Sequence, residues 1–326
     1  MITHEEFIKR NNLEEFDYYQ NKNNGWLFIL NLKENDYDNE SIIIDELPSK
    51  IKFTRKCEIN IKLKDIKKIP PDVIFNNKGD VKIHYIEEIL ENVVFSNRGS
   101  VVINYVEKIS ENVVFSNNSG VVINYVEKIS ENVVFSNNGD LYLGDGIKEY
   151  NLEKLKKIHP SVKFANNGNI YLYLNKIPNG IVFNNTKDIN LYHVKEISEK
   201  VIFNNNGDLN FYRLEKVHPS VEFINKRDIY FNFSINKIPE GVIFNNKRDV
   251  HLSRYVRYVL ENVIFNNGRN VIFGYQKVVF SKGVRFNNKG KIENLSFLEN
   301  IIPNFLDPKK YLNKMIEQLY KNKNIW

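Results

Sequence analysis

Apolar and polar positions recur in short groups about every 20 residues along most of the chain. Each copy has an aliphatic residue, a phenylalanine two positions later, and apolar residues six and eight positions after the phenylalanine, except that Asn294 stands at the last of these positions in the final copy. Spacing of two is the periodicity of a β-strand, in which alternate side chains share one face. The pattern predicts two short strands per repeat, with these residues pointing inward. The phenylalanines are Phe53, Phe75, Phe95, Phe115, Phe135, Phe164, Phe183, Phe203, Phe223, Phe244, Phe265 and Phe286.

So regular a period predicts a mainly β protein, a β-solenoid of about 12 coils in which each unit buries its apolar side against its neighbours. Successive phenylalanines are 19 to 22 residues apart, except for one interval of 29. The copies at 92–111 and 112–131 are nearly identical, which indicates a recent duplication. The extra residues of the long interval lie near 144–150. They predict a loop that is either functional or a tolerated insertion.

Polar positions repeat as well. Asparagine stands two positions after every phenylalanine of the series except the first, where Arg55 replaces it. This column predicts an asparagine ladder at one corner of the solenoid, where side-chain amides satisfy backbone groups of the turn. Gly-Asp or Gly-Asn pairs follow in several copies, such as Gly79-Asp80. We expect these glycines to supply a positive φ in the turn.

The two ends depart from the repeat. Thr3 and Glu6 fit a capping box, which predicts a helix that continues to about Gln20. Residues 1–48 are expected to form a helix-plus-strand cap, and residues 49–300 the solenoid. Apolar residues at i, i+4 and i+8 after Pro308 predict a capping helix within 301–326, with a partner-docking helix as the alternative. Helical caps are thus expected at both ends.

The unit from Gly207 to Phe223 resembles the short leucine-rich-like β-solenoid repeats of large DNA virus and phage proteins. It is similar to leucine-rich repeats in its L-x-L strand followed by I-x-x-P-x-x-V, but the usual asparagine after L-x-L is missing. The resemblance covers roughly residues 42–300 and departs from the pattern in placing its asparagines at the other corner. It implies the fold, an interaction role and a viral origin. It assigns a function to no residue of this chain.

Composition limits the setting. The chain carries 46 Lys+Arg against 40 Asp+Glu, a net charge of +6, and its small basic clusters are interpreted as solvated surface. Its single cysteine, Cys57, excludes internal disulfides and fits a reducing compartment. We therefore expect a cytoplasmic protein, in the host cytoplasm if it is viral. The sequence shows no secretory signal and no apolar run long enough to predict a membrane span.

Motifs of catalysis are missing from the sequence. The six histidines do not have the spacing of metal ligands, and no phosphate-binding loop, dinucleotide fingerprint or nucleophile elbow occurs. Carboxylates recur at the same corner of many copies, as turn chemistry does, whereas catalytic pairs need unlike environments at one place. We expect no enzyme, no catalytic residue, no cofactor and no metal.

The outward positions of the second strand, seven and nine residues after each phenylalanine, are rich in tyrosine and asparagine. Tyrosine offers a large contact area at low entropic cost, and asparagine offers adaptable hydrogen bonding, so these positions form a hypothetical partner-binding face. The same residues also simply suit strands, and both interpretations stay open. They are Tyr142, Tyr171, Tyr173, Asn190, Tyr192, Asn210, Tyr212, Tyr230, Asn232 and His251.

The leading hypothesis is a non-enzymatic repeat scaffold that binds a protein partner through this face. A nucleic-acid-binding solenoid, with tyrosine stacking beside Lys and Arg, is the first alternative. A structural or assembly protein of a virus particle is the second. The sequence leaves the oligomeric state and the partner open.

Overall fold

A computed structural model describes residues 2–32, 41–144, 157–232, 235–274 and 278–294. These residues form a mainly parallel β-solenoid of about 12 coils, which confirms the predicted fold class. Equivalent residues of successive coils pair in register, as Val101 does with Val121 and Val121 with Leu141. A column of the sequence is therefore a ladder along the rod.

The first sheet carries the phenylalanine of each repeat and has 14 strands. Most of its strands contain only two residues, so each depends on the strands above and below it for stability. They are Tyr18–Asn21, Trp26–Ile29, Ile51–Phe53, Ile74–Phe75, Val94–Phe95, Val114–Phe115, Val134–Phe135, Lys163–Phe164, Val182–Phe183, Ile202–Phe203, Glu222–Phe223, Ile243–Phe244, Ile264–Phe265 and Arg285–Phe286.

The second sheet carries the apolar residues six and eight positions after each phenylalanine. Alternate residues are buried in most strands of its main path, as the period of two predicts. The exceptions include Ile189–Leu191, in which all three residues are buried, and Ile292–Glu293, in which neither is. These strands are Ser41–Ile44, Asn60–Leu63, Val81–Ile89, Val101–Ile109, Val121–Ile123, Leu141–Leu143, Ile170–Leu172, Ile189–Leu191, Leu209–Phe211, Ile229–Phe231, Val250–Leu252, Val271–Phe273 and Ile292–Glu293.

Most coils contain a third strand that the sequence analysis did not predict. Val81–Ile89 and Val101–Ile109 continue into it, whereas other coils form it separately. We call these strands the third side of the rod. Most of its separate strands have only two residues, of which one is buried, and so provide no period of two to detect. The separate strands are Lys68–Ile69, Val126–Ile129, Lys157–Ile158, Lys176–Ile177, Glu196–Ile197, Lys216–Val217, Lys237–Ile238, Tyr258–Val259 and Val279–Phe280.

The core is a continuous stack of the repeat phenylalanines. From Phe53 to Phe286, each ring stacks on the next, with centroids 4.9 to 5.6 Å apart and interplanar angles between 0° and 25°. This spacing follows from the separation of about 4.8 Å between hydrogen-bonded strands. All but Phe286 are fully buried or nearly so. The twelve rings thus form one apolar column along the rod, as the sequence predicts.

The asparagine ladder is also confirmed. The eleven asparagines from Asn77 to Asn288 are buried. Asn117 is typical: its Nδ2 donates to the backbone oxygens of Ser119 at 2.9 Å and Gly120 at 3.0 Å. It also donates to Gly99 O of the preceding coil at 3.2 Å. Each ladder amide therefore closes its own turn. Six of them also tie that turn to the coil before it: Asn77, Asn97, Asn117, Asn246, Asn267 and Asn288.

The prediction of positive φ at the Gly-Asp corner is wrong. Gly79 and its equivalents are not in the left-handed region; that conformation occurs instead three residues before the phenylalanine, at Asn112 (φ 58°) and Gly241 (φ 73°). At Gly79 the glycine allows close packing, because a Cβ there would lie 2.5 Å from the backbone oxygen of Ile59 in the preceding coil. Other coils carry a larger residue at the same position, as Arg227 and Arg248 show. The sequence pattern fits both causes, and only the stacking of coils distinguishes them.

The amino-terminal end is covered differently from the expectation. The capping box of Thr3 and Glu6 is present, but the helix is short, His4–Arg10, and a hairpin replaces its predicted continuation to Gln20. Tyr18–Asn21 pairs antiparallel with Trp26–Ile29, which itself pairs parallel with Ile51–Phe53. Helical caps at both ends are therefore not evident. The predicted helix within 301–326 and most of the predicted 144–150 loop lie outside the described residues.

Candidate functional site

The structure places the predicted face on the outside of the second sheet. Tyr142, Tyr171, Asn190, Asn210, Tyr230 and His251 occupy the central position of successive paired strands. Asn190 is buried, whereas the other five are half-buried. A second column, just beyond the strands, contains Tyr173, Tyr192, Tyr212 and Asn232. We call these ten residues the Tyr–Asn surface. Five inter-strand steps of about 4.8 Å give it a length of roughly 24 Å.

Aromatic rings on this surface stack on one another. Tyr142 lies 4.4 Å from Tyr171 between centroids, and Tyr192 lies 4.5 Å from Tyr212. Tyr192 also stacks on Tyr173 at 5.3 Å and reaches Tyr171 across the columns at 6.3 Å. The two columns therefore form one aromatic cluster. Because each ring covers its neighbours, the tyrosines are half-buried.

Amides and a second ring pair continue the surface towards the carboxy-terminal coils. Asn210 Nδ2 donates to Asn190 Oδ1 at 3.1 Å. Tyr230 stacks on His251 with centroids 4.3 Å apart, and its hydroxyl donates to Asp228 Oδ2 at 3.4 Å. Contacts along the rod thus fix the orientation of these polar groups before any partner arrives.

Three phenols of the surface, those of Tyr171, Tyr212 and Tyr230, have a raised pKa and remain protonated at neutral pH. Burial, followed by the neighbouring Tyr142 and Asp140, raises the pKa of Tyr171 to about 12. Burial and then the charge of Asp228 likewise raise the pKa of Tyr230 to about 12. Burial is also the main cause of the raised pKa of Tyr212. These hydroxyls therefore present neutral donors and acceptors and are poor candidates for bases.

A second aromatic stack was missed by the sequence analysis. Tyr85, Tyr105 and Tyr125 lie in the amino-terminal third of the solenoid, with successive centroids 4.7 and 4.2 Å apart. They stand ten positions after their phenylalanines, beyond the columns used to define the face. Asking which residue type recurs at every offset, and not only at the two outward strand positions, would have found them.

Among the residues that the structure describes, one group of side chains could ligate a metal ion. Asp228, Asp249 and His251 bring one potential ligand atom each to within 4.8 Å of one another. Two of the three are corner carboxylates whose Oδ1 atoms already accept backbone N–H groups, from Asp249 at 2.8 Å and Asn270 at 2.7 Å. Arg227 and Arg248 precede them directly in sequence, and their positive charge disfavours a bound cation.

Comparisons of the chain with protein-family models, with curated proteins and with solved structures found no match. Within the described ranges, no helix has both the length and the apolar character required to cross a membrane. Function is therefore inferred from the geometry of the solenoid and its surfaces.

Proposed function

We propose that the protein is a non-enzymatic repeat scaffold that binds a protein partner through the Tyr–Asn surface. The observation that carries this proposal is the aromatic cluster of Tyr171, Tyr173, Tyr192 and Tyr212, held by mutual stacking on a rigid sheet. Tyrosine is among the residue types that dominate protein interfaces, and side chains already ordered lose little entropy on binding. Adjacent amides add directional hydrogen bonds.

The setting proposed with this function is the cytoplasm, of a host cell if the protein is viral. A free thiol supports a reducing compartment, because Cys57 is buried and has no disulfide partner. Burial raises the pKa of the Cys57 thiol to about 11, which makes it a poor nucleophile or redox group at neutral pH. Its proposed role is to fill space in the coil.

Replacing Tyr171, Tyr192 and Tyr212 together with alanine is expected to lower partner capture more than tenfold. Aromatic residues at the centre of an interface each contribute about 2 kcal/mol or more, whereas peripheral residues contribute little. The measurement is affinity purification with quantitative mass spectrometry, comparing the tagged full chain with the triple variant.

The matched control replaces three exposed tyrosines elsewhere, Tyr85, Tyr255 and Tyr258, which are 45%, 39% and 47% exposed. It should capture the partner as the wild type does, with circular dichroism showing that both variants are folded. Undiminished capture by the Tyr171/Tyr192/Tyr212 variant would remove the surface assignment.

If the protein is instead an assembly subunit of a virus particle, sedimentation of the purified chain should show self-association that rises with concentration.

A further inference from the structure

The excess positive charge of the protein is concentrated in one part of the rod. Residues 226–294 contain 13 of the 46 Lys+Arg but only 5 of the 40 Asp+Glu. This segment therefore has a net charge of +8, while the rest of the chain has a net charge of −2. The moderate overall charge of +6 hides this asymmetry, which favours an anionic partner for the carboxy-terminal coils.

Six cations of this segment lie along a single corner, between the first and second sheets. We call Lys226, Arg227, Lys247, Arg248, Arg269 and Lys289 the basic corner. They occupy the third and fourth positions after the phenylalanines of four successive coils, where the amino-terminal coils carry Asn or Gly in several copies. Because these coils stack in register, the cations recur at the coil spacing of about 4.8 Å.

The asparagine ladder holds the backbone of the basic corner. Asn246 Nδ2 donates to Arg227 O of the preceding coil at 3.2 Å and to Arg248 O of its own coil at 3.1 Å. Asn267 repeats the arrangement with Arg248 O and Arg269 O, both at 3.0 Å. The three arginines therefore project from a fixed row, and binding need order only their side chains.

The charges of the basic corner are available to a ligand. Five of its side chains are exposed and Arg248 is half-buried. In the part of the chain that the structure describes, none of the six forms an ion pair. Asp228 and Asp249 lie beside them, but their Oδ1 atoms accept backbone N–H groups of the next coil. Six cations against two carboxylates leave the corner strongly positive.

We propose that the basic corner binds the phosphate backbone of a nucleic acid, independently of the Tyr–Asn surface. A row of charges with a regular repeat fits a polymer whose own charges repeat along its length. The guanidinium fork of arginine matches phosphate oxygens in pairs, and three arginines share one column here. A membrane is a poorer fit, because none of the large apolar side chains that are exposed in the described ranges lies on the corner. Contacts to phosphate alone give binding without sequence preference.

The test is fluorescence anisotropy of the full chain with a labelled mixed-sequence DNA duplex and with the matching single strand, between roughly 50 and 200 mM salt. The test variant changes Arg227, Arg248 and Arg269 to glutamine. The control changes Lys128, Lys163 and Lys216, which are exposed and lie off the corner, to glutamine. Both variants lose three positive charges.

The wild type and the control should bind with similar affinity, and the test variant should bind at least tenfold more weakly at the lowest salt. For the duplex, the magnitude of the negative slope of log K against log salt should decrease by about 2.7 in the test variant, because each lost phosphate contact contributes about 0.9. If the arginine variant is unstable, Lys226, Lys247 and Lys289 are changed to glutamine instead, with the same expectation.

The Tyr171/Tyr192/Tyr212 variant should retain nucleic-acid binding. Failure of this proposal can therefore be distinguished from failure of the proposed function.

Three results would overturn the proposal. The first is no binding of the wild type to either DNA at the lowest salt. The second is equal loss in the test and control variants, which would reduce the effect to net charge. The third is tighter, corner-dependent binding of polyglutamate or of phosphatidylserine vesicles than of DNA, which would assign the corner to an acidic protein or a membrane.

Discussion

Replacing Phe115 with alanine is expected to lower the free energy of unfolding by about 3–5 kcal/mol. Phe115 is fully buried, and its ring stacks between Phe95 at 4.9 Å and Phe135 at 5.0 Å. The substitution removes the ring and leaves a cavity in the middle of the stack, where in-register strands prevent the neighbours from closing it. Urea denaturation followed by circular dichroism measures the change.

The same substitution at Phe16, which is 66% exposed, is the matched control and should change the stability by less than about 1 kcal/mol. Equal losses at Phe16 and Phe115 would show that the phenylalanine column is not the core. A broadened transition in the Phe115 variant would indicate that coils on the two sides of the cavity unfold separately, as a linear array of repeats allows.

Changing Asn117 to aspartate is expected to destabilise the protein by about 3–5 kcal/mol at pH 7, because it leaves an uncompensated charge in a buried site. Asn117 Nδ2 faces three backbone carbonyl oxygens at 2.9 to 3.2 Å, which would repel a carboxylate. Burial and this repulsion raise the pKa of the introduced carboxyl, so the folded state binds more protons than the unfolded state. The loss should therefore shrink as the pH falls.

The neighbouring Asn118 is exposed, so the same change there is the control. It alters the charge of the protein equally and should shift the urea midpoint only slightly, with little dependence on pH. A destabilisation at Asn117 that stays constant from neutral to acidic pH would contradict the assigned direction of the ladder amides, since a protonated acid could donate where the amide does.

The inward-facing parts of the fold could be predicted because stacking makes each column uniform. Phe95, Phe115 and Phe135 occupy one environment, as do Asn97 and Asn117, so the sequence repeats the same residue type at each. An aromatic ring or an amide at a fixed offset then identifies a buried position without any knowledge of the neighbouring coil. The coil count and both main sheets follow from these columns.

The third side and the glycine corner could not be predicted in the same way. A strand such as Lys176–Ile177 has one buried residue and therefore no internal period. Gly79 fits a left-handed turn as well as it fits close packing, and only the distance of its missing Cβ to Ile59 decides between them. Both features depend on how one coil lies on the next.

The surfaces, too, could be predicted from the sequence only in part. The sequence identified the outward tyrosines, but the stacking of Tyr171 on Tyr192 crosses two columns and depends on the local path of the chain. The basic corner was missed because its charges are separated by about a coil in sequence, as Arg227, Arg248 and Arg269 are, and form a cluster only when the coils stack. Only basic clusters formed by nearby residues of the sequence were recognised from the sequence.

The most direct test of the account is whether positions 102 and 122 are neighbours on the second sheet. Val102 and Val122 are outward-facing, half-buried and paired in register. Replacing both with cysteine should allow dibromobimane to bridge them and become fluorescent, whereas cysteines at 102 and 142, two strand spacings or roughly 9.6 Å apart, should not be bridged. Bridging of 102 with 122 alone is the predicted result. Equal bridging in both variants, or none in either, would contradict the in-register solenoid.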